Sequence, residues 1–175
     1  MEEQRQGRCI LFDWGDTLMR DFTEFEGPMV SWPKVEAMPY AGQVLAELHD
    51  QAILAVATNA DVSTEADIRA ALERVDLGRF LDRIYCVRGV GYRKPSKEFF
   101  EFILTDLGID RSQVIMVGDY LEVDVLGANA CEIRGVWYNW RREENREGEM
   151  FRTIPDLREL PGAIDDLMTE ERKKP

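Results

Sequence analysis

Polar side chains suited to handling phosphate follow four separate apolar runs of this 175-residue chain. They comprise carboxylates, an ammonium group, a hydroxyl and an amide: Asp13, Thr58, Asn59, Lys94, Asp119 and Asp124. Carboxylates that are brought together repel one another, and a hard cation such as Mg²⁺ relieves that repulsion. The lysine adds a positive charge, and the hydroxyl and the amide donate hydrogen bonds to anionic oxygens. These groups together are those that phosphoryl transfer through an aspartyl-phosphate requires.

The apolar runs themselves predict the elements that would position these side chains. The first run, Cys9 to Phe12, is apolar at every residue, which is typical of a strand buried on both faces of a parallel sheet. Four further runs have the same character: 52–57, 83–87, 114–117 and 134–138. Patterns with helical spacing lie between and after the runs: 41–50, 64–75, 96–107, 123–130 and 155–168.

This alternation predicts an α/β fold. We expect a three-layer, doubly wound (Rossmann-like) sheet of five parallel strands with helices on both faces. The carboxyl ends of parallel strands lie at one edge of a sheet, and ligands bind just beyond that edge. The polar groups at the strand ends are therefore predicted to converge on a single site.

Composition excludes some classes of partner. The net charge of -12 argues against a surface for nucleic acid or for an anionic membrane. The amino terminus has no apolar targeting segment and no apolar run could span a bilayer, so we expect a cytoplasmic protein. The three cysteines are far apart and form no CxxC pair, which predicts buried free thiols.

Four stretches, in chain order, resemble the four motifs of the haloacid dehalogenase (HAD)-like hydrolase superfamily: ILFDWGDTL, LAVATN, YRKPSKEFF and VIMVGDYLEVDVLGANA. Together they span residues 9 to 130, which is most of the chain. The ordered set is far more specific than the lysine or the Thr-Asn pair alone. The resemblance implies a hydrolase of the phosphatase type that uses Mg²⁺.

The resemblance also implies a metal site at the end of the first and fourth strands. Asp13 would be both the nucleophile and a metal ligand, and Gly15 would offer a backbone carbonyl to Mg²⁺. Asp119 would bind the metal directly, and Asp124 would bind it directly or through water.

The second and third motifs would hold the phosphate. By the same resemblance, Thr58 and Asn59 would hold the phosphoryl oxygens. Lys94 would neutralise both the nucleophile and the phosphate. We therefore expect a phosphorylated substrate.

One position departs from the pattern of the family. Its phosphatases usually carry a second Asp two residues after the nucleophile, which protonates the leaving group and later activates water. Here Gly15 stands at that position, and Asp16 follows where the family usually has Gly. Asp16 is therefore a displaced candidate for the acid, and loss of a general acid typically costs ~10²–10⁴-fold. The alternative to a phosphatase is a catalytically weak regulatory protein that binds phosphate and metal.

A cap domain is the second missing feature. Residues 20–39 and 60–91 are too short to fold into one. We therefore expect a single domain over residues 1–175 without a separate cap, with a short flap at 21–39 and a frayed tail at 169–175. An open site of that kind suits bulky or macromolecular phosphorylated substrates, or a homo-oligomer in which a neighbouring subunit serves as the lid.

Two related classes fit less well. A receiver-type phosphoacceptor domain also joins an Asp to Mg²⁺ and Lys, but its phosphoacceptor ends a later strand, whereas Asp13 ends the first. A haloacid dehalogenase proper needs a cap to enclose a small halo acid.

Overall fold

Six parallel strands form one sheet in the order β3-β2-β1-β4-β5-β6. The structure, a computed structural model, describes residues 7–142 and 146–171. The strands are β1 (Cys9–Phe12), β2 (Ile53–Thr58), β3 (Arg83–Cys86), β4 (Val114–Gly118), β5 (Arg134–Tyr138) and β6 (Phe151–Ile154). The predicted α/β class and the parallel sheet are confirmed, and the five predicted strands are all present.

The helices are α1 (Ala41–His49), α2 (Glu65–Glu73), α3 (Val87–Val90), α4 (Lys97–Leu107), α5 (Gly127–Asn129) and α6 (Leu160–Glu171). A π-helix, Leu121–Leu126, leads directly into α5, where the sequence predicts an ordinary helix. The helix α6 starts later than predicted and extends to Glu171, and residues 172–175 of the predicted frayed tail lie outside the described residues.

The two faces of the sheet explain why the strands are apolar throughout. Ile10 and Phe12 of β1 belong to the core formed with α1, α2 and α6. Cys9 and Leu11 belong to the core formed with α4 and α5 on the opposite face. Since successive side chains of a strand point to opposite faces, a sheet covered on both sides needs an apolar residue at every position. The three cysteines are buried and free, as predicted.

The sixth strand, β6, is the element that the sequence analysis missed. Phe151 and Ile154 are buried, whereas Arg152 and Thr153 between them are only partly buried. The strand lies at the edge of the sheet and pairs with β5 alone. An edge strand needs fewer apolar residues than a central one, so this short segment lacks the continuous apolar pattern that identified the other five.

The order of the strands fixes where a ligand can bind. β1 lies between β2 and β4, so that Phe12 is in register with Val56 on one side and with Val117 on the other. The chain leaves β1 toward β2 on one side and later returns to β4 on the other. Such a switch point opens a crevice beyond the carboxyl ends of the strands. Asp13 follows β1 at this crevice.

The segment 21–39 crosses over this edge of the sheet without forming a domain. Its one described helical element is a single 3₁₀ turn, Met29–Ser31. A bridge between Met19 and Ala37 closes the segment at its base. The described residues thus contain no separate cap domain, as predicted. None of the helices in the described ranges has the length and apolarity to cross a membrane.

Candidate active site

Asp13 stands at the first position beyond β1. Its backbone N–H donates to the carbonyl of Val117 at 2.8 Å, which extends the β1–β4 pairing by one residue. The side chain of Asp13 is 15% exposed. The nucleophile predicted from the sequence therefore lies on rigid backbone, with its carboxylate at the mouth of the crevice.

Lys94 joins Asp13 to Asp124. The Lys94 Nζ atom donates to Asp13 Oδ1 at 2.8 Å and to Asp124 Oδ1 at 2.7 Å. Burial alone would lower the pKa of this ammonium group, but the charges of Asp13 and Asp124 outweigh burial and leave the Lys94 pKa raised. Lys94 is therefore a fixed positive charge beside the predicted nucleophile.

The side chain of Asn59 holds the backbone of Lys94. Its Nδ2 donates to the Lys94 carbonyl at 2.9 Å, and its Oδ1 accepts from the Lys94 N–H at 2.8 Å. The peptide bond that follows, Lys94–Pro95, is cis. Asn59 thus positions the backbone of Lys94 through both polar ends of its side chain, and its amide nitrogen has a second N–H that remains to donate.

Asp13, Asp119 and Asp124 form a carboxylate cluster. Each offers one oxygen, and these oxygens lie within 4.8 Å of one another. Burial raises the pKa of Asp124 to about 7; Lys94 opposes the shift and the Asp13 charge adds to it. Burial also raises the pKa of Asp119. Oxygen ligands that crowd together and are costly to ionise are a donor set that fits a hard divalent cation.

Two glycines let the fourth motif reach this cluster. A Cβ on Gly118 would overlap the carboxylate of Asp124, which lies against the end of β4. A Cβ on Gly127 would overlap Pro95, so the chain after the π-helix packs directly on the Lys94 loop. The Tyr120 N–H donates to Asp124 Oδ2 at 3.1 Å and fixes the carboxylate in this place.

Arg141 forms a second bridge, farther out at the rim. Its guanidinium donates to Asp119 Oδ2 at 2.6 Å through one nitrogen and to Asp16 Oδ2 through the other. The remaining oxygen of Asp16 accepts from the backbone N–H of Asp21 at 3.0 Å. Asp16 itself has a left-handed backbone, with φ of 54°. This is a conformation that glycine adopts freely, which explains why Gly is usual at this place in the family.

Thr17 links the two loops that carry the carboxylates. The Asp119 N–H donates to Thr17 Oγ1 at 3.1 Å, and Thr17 is fully buried. The indole of Trp137 donates to the Asp119 carbonyl at 3.0 Å. Asp119 is therefore held from three directions, because Arg141 binds its carboxylate as well.

A cavity of ≈ 440 Å³ opens above these residues. The predicted residues that line it are Asp13, Gly15, Asp16, Thr58, Asn59 and Asp119. The Thr58 hydroxyl accepts from the Ala60 N–H at 3.1 Å and keeps its own proton to donate. Lys94 and Asp124 lie behind the lining and reach the cavity through Asp13. The apolar side of the cavity includes Met29 and Trp32 of the 21–39 segment.

The sequence analysis missed three residues of this site. Arg141 follows β5 at the same edge where the other strands place polar groups. Thr17 lies within the first motif, but nothing in its type or spacing indicates a contact with Asp119. Asp21 lines the cavity because the chain folds back after the first motif, through a bridge between Gly15 and Met19. Of the three, only Arg141 could have been predicted, because polar residues that follow parallel strands are expected at this edge of the sheet.

The fold and this cluster define an α/β protein with an acidic site at the switch point of its parallel sheet. Residues 21–132 match the family model of the haloacid dehalogenase-like hydrolases. This range is more than half of the chain, and the chain belongs to that family. The matched range contains Lys94, Asp119 and Asp124 but begins after Asp13. The place of Asp13 in the site therefore rests on the geometry above.

Curated relatives carry the names of phosphatases and nucleotidases. The chain is 30% identical over 135 residues to the ribulose-1,5-bisphosphate 5-phosphatase of Halopiger xanaduensis, which covers 77% of this chain and 55% of the relative. It is 32% identical over 125 residues to the pyrimidine 5'-nucleotidase YjjG of Escherichia coli, which covers 70% of this chain and 54% of the relative. The chain thus spans about half the length of the curated relatives it matches.

Solved structures of similar fold extend over nearly the whole chain. An uncharacterized protein from Listeria monocytogenes has a TM-score of 0.82 at 24% identity, over 93% of this chain and 99% of its own. The HAD-hydrolase YfnB from Bacillus subtilis, bound to magnesium, has a TM-score of 0.71 at 17% identity, over 89% of this chain and 97% of its own. At these identities the likeness concerns the fold.

Proposed function

We propose that this chain is a Mg²⁺-dependent phosphohydrolase that acts through an aspartyl-phosphate on Asp13. One observation carries the proposal: three carboxylate oxygens within 4.8 Å of one another, joined to a buried lysine, at the switch point of the sheet. The names of the curated relatives support the same class of reaction.

Asp13, Lys94 and Thr58 would have separate roles in the reaction. A carboxylate oxygen of Asp13 attacks the phosphorus atom, and the bond to the leaving oxygen breaks. Lys94 is a positive charge close to the attacking carboxylate, and the Thr58 hydroxyl donates to a phosphoryl oxygen at the cavity wall. Donors that are already in place need no reorganisation during the reaction, which is where such sites obtain most of their rate. Water then releases phosphate from Asp13.

The carboxylate cluster would hold the metal. Asp13, Asp119 and Asp124 supply oxygen ligands, and the backbone carbonyl of Gly15 is the further candidate. When bound, Mg²⁺ supplies positive charge that offsets the negative charge of the phosphoryl group.

The open side of the site supports bulky or macromolecular phosphorylated substrates. The 21–39 segment contributes Asp21, Gly27, Met29 and Trp32 to the lining of the cavity, and its described residues form no domain. A phosphorylated group at the end of a large molecule would therefore reach Asp13 without a domain closing over it.

Hydrolysis of 4-nitrophenyl phosphate tests the proposal. We expect Mg²⁺-dependent release of nitrophenolate that is lost on chelation of the metal and lost in Asp13→Asn. Asp50→Asn, at an exposed acid at the end of α1, is the matched control and should retain activity. Full activity of Asp13→Asn would overturn the proposal.

A catalytically weak regulatory protein is the second candidate. It is favoured by the state of Asp16, because both of its carboxylate oxygens are bound by Arg141 and by the Asp21 N–H. The exchange Gly15→Asp with Asp16→Gly discriminates between the two, and the left-handed backbone of residue 16 accommodates the new glycine. A large gain in turnover would support the regulatory protein, and an unchanged or lower turnover would support the phosphohydrolase.

A further inference from the structure

Gly15 leaves the predicted reaction without its usual acid, and the structure places another carboxylate beside that position. A Cβ built on Gly15 would lie 3.4 Å from the Cβ of Asp21 and 3.5 Å from Asp21 Oδ2. Asp21 therefore occupies the space into which a side chain at residue 15 would extend. Its side chain also lines the cavity above Asp13.

The chain is folded so as to hold Asp21 there. The segment after β1 turns back on itself, with a bridge between Gly15 and Met19. The Asp21 N–H then donates to Asp16 Oδ1, at 3.0 Å. Asp16 is itself tied to Arg141. The acid at residue 16 thus serves to position the backbone of residue 21.

The two acids differ in what their carboxylates contact. Both oxygens of Asp16 accept hydrogen bonds, from the Arg141 guanidinium and the Asp21 N–H. The Asp21 carboxylate makes no hydrogen bond or ion pair within residues 7–142 and 146–171. Of the two, Asp21 is the carboxylate that remains able to exchange a proton with a group in the cavity.

We propose that Asp21 is the general acid and base of this site, in place of the residue absent at position 15. The inference rests on the proposed phosphohydrolase function. In the first step, protonated Asp21 gives its proton to the leaving oxygen as the bond from that oxygen to phosphorus breaks and Asp13 becomes phosphorylated. In the second step, Asp21 takes a proton from the attacking water as the bond between Asp13 and phosphorus breaks. The sum is one phosphate ester and one water converted to an alcohol and phosphate.

The test compares two probes that differ in their need for an acid. The leaving group of 4-nitrophenyl phosphate departs without protonation, whereas that of glycerol 3-phosphate requires a proton. In Asp21→Asn we expect turnover of glycerol 3-phosphate to fall ~10²–10⁴-fold. With 4-nitrophenyl phosphate we expect a burst of nitrophenolate that approaches the enzyme concentration, followed by slow turnover, because the water step lacks its base.

The burst separates a catalytic role from a structural one. A variant that merely disturbed the loop would lower the burst and the later turnover together, and no phosphorylated enzyme would accumulate. Glu24→Gln, at an exposed acid of the same segment that does not line the cavity, is the matched control and should behave as the unaltered chain.

A rescue variant tests the role of Asp21 even if Asp21→Asn perturbs the structure of the loop. Asp21→Ala removes the carboxylate whose Oδ2 and Cγ atoms lie 3.5 and 3.6 Å from a Cβ built on Gly15, and Gly15→Asp then restores a carboxylate beside the vacated space. The backbone of Gly15 is not left-handed, so it accepts a side chain. We expect the double variant to recover much of the activity that Asp21→Ala loses.

The possible failures are distinguishable. Activity that is lost in Asp13→Asn but unchanged in Asp21→Asn, on both probes, would overturn the role of Asp21 and leave the phosphohydrolase intact. Full activity of Asp13→Asn, or no turnover by the unaltered chain, would overturn the proposed function and this inference with it.

Discussion

The site contains two ionic bridges of the same design and different depth. In the inner bridge Lys94 joins Asp13 to Asp124, and its side chain is 1% exposed. In the outer bridge Arg141 joins Asp16 to Asp119, and its side chain is 41% exposed. Each uses one cation to hold two carboxylates from separate segments of the chain. Burial makes the inner bridge costly to break, whereas solvent screens the outer one.

The difference in burial between the two bridges indicates which part of the site is fixed by the fold and which part is less constrained. In the inner bridge Asp13 directly follows β1, Lys94 is held by Asn59, and Asp124 lies in the π-helix against the end of β4. In the outer bridge Asp119 directly follows β4, whereas Asp16 and Arg141 lie in loops. We therefore expect changes to the inner bridge to affect folding and activity together, and changes to the outer bridge to affect activity with little effect on stability.

The largest effect is expected from Lys94→Met. This variant leaves Asp124 buried without its cation, and breaking a buried pair in this way typically costs about 3–5 kcal/mol in the free energy of unfolding. The matched variant of the outer bridge, Arg141→Met, should cost less than about 1 kcal/mol because its pairs are partly exposed. Urea denaturation measures both. Equal losses in the two variants would contradict the distinction.

Addition of Mg²⁺ should stabilise the folded chain through the carboxylate cluster, which takes Asp13 and Asp124 from the inner bridge and Asp119 from the outer one. At about one hundred times its dissociation constant, a ligand that binds only the folded state adds about 2.7 kcal/mol to the free energy of unfolding. Asp119→Asn replaces a charged carboxylate ligand by a neutral amide and should abolish most of this gain, and Asp50→Asn should retain it. A gain of the same size in Asp119→Asn would place the metal elsewhere.

Gly118→Ala tests the close approach of the inner bridge to β4. The added methyl group would overlap the Asp124 carboxylate, and overpacking of this kind typically costs about 1–3 kcal/mol. Gly162→Ala is the control, because a Cβ at Gly162 meets no described atom within 4 Å. Thermal or urea unfolding should show a clear loss for the first and little change for the second. A Gly118→Ala variant as stable as the control would contradict this packing.

The smallest effects are expected at Asp16, in the outer bridge. Asp16→Gly loses a partly exposed ion pair but gains a residue that suits φ of 54°, so the free energy of unfolding should stay within about 1 kcal/mol. Asp16→Ala loses the same pair and keeps a Cβ in the left-handed region. Its free energy of unfolding should therefore be about 1–2 kcal/mol lower than that of Asp16→Gly. Equal stabilities for the two variants would show that the backbone of residue 16 is not strained.

The convergence of Asp13, Asp119, Asp124 and Lys94 could be predicted because strand ends determine where Asp13 and Asp119 lie. Asp13 and Asp119 directly follow apolar runs, and the carboxyl ends of parallel strands share one edge. The resemblance of the motifs then predicted Lys94 and Asp124 as their companions. The predicted α/β fold follows from the same runs.

The outer parts of the site were harder to predict for a physical reason. Asp21 reaches the cavity through a loop that folds back, and no periodic pattern describes a returning loop. Asn59 illustrates a second difficulty: its type is suited to holding phosphate, but only the structure shows that both ends of its amide bind the backbone of Lys94. The strand β6 was missed because an edge strand carries a weaker apolar pattern.

The central claim is that Asp13 carries the phosphoryl group. It is tested most directly by stopping the reaction with 4-nitrophenyl phosphate and Mg²⁺ in acid, digesting the chain and finding the phosphorylated peptide by mass spectrometry. We expect a phosphorylated aspartate at Asp13 and its disappearance in Asp13→Asn. Phosphate on another residue, or turnover at the normal rate in Asp13→Asn, would contradict it.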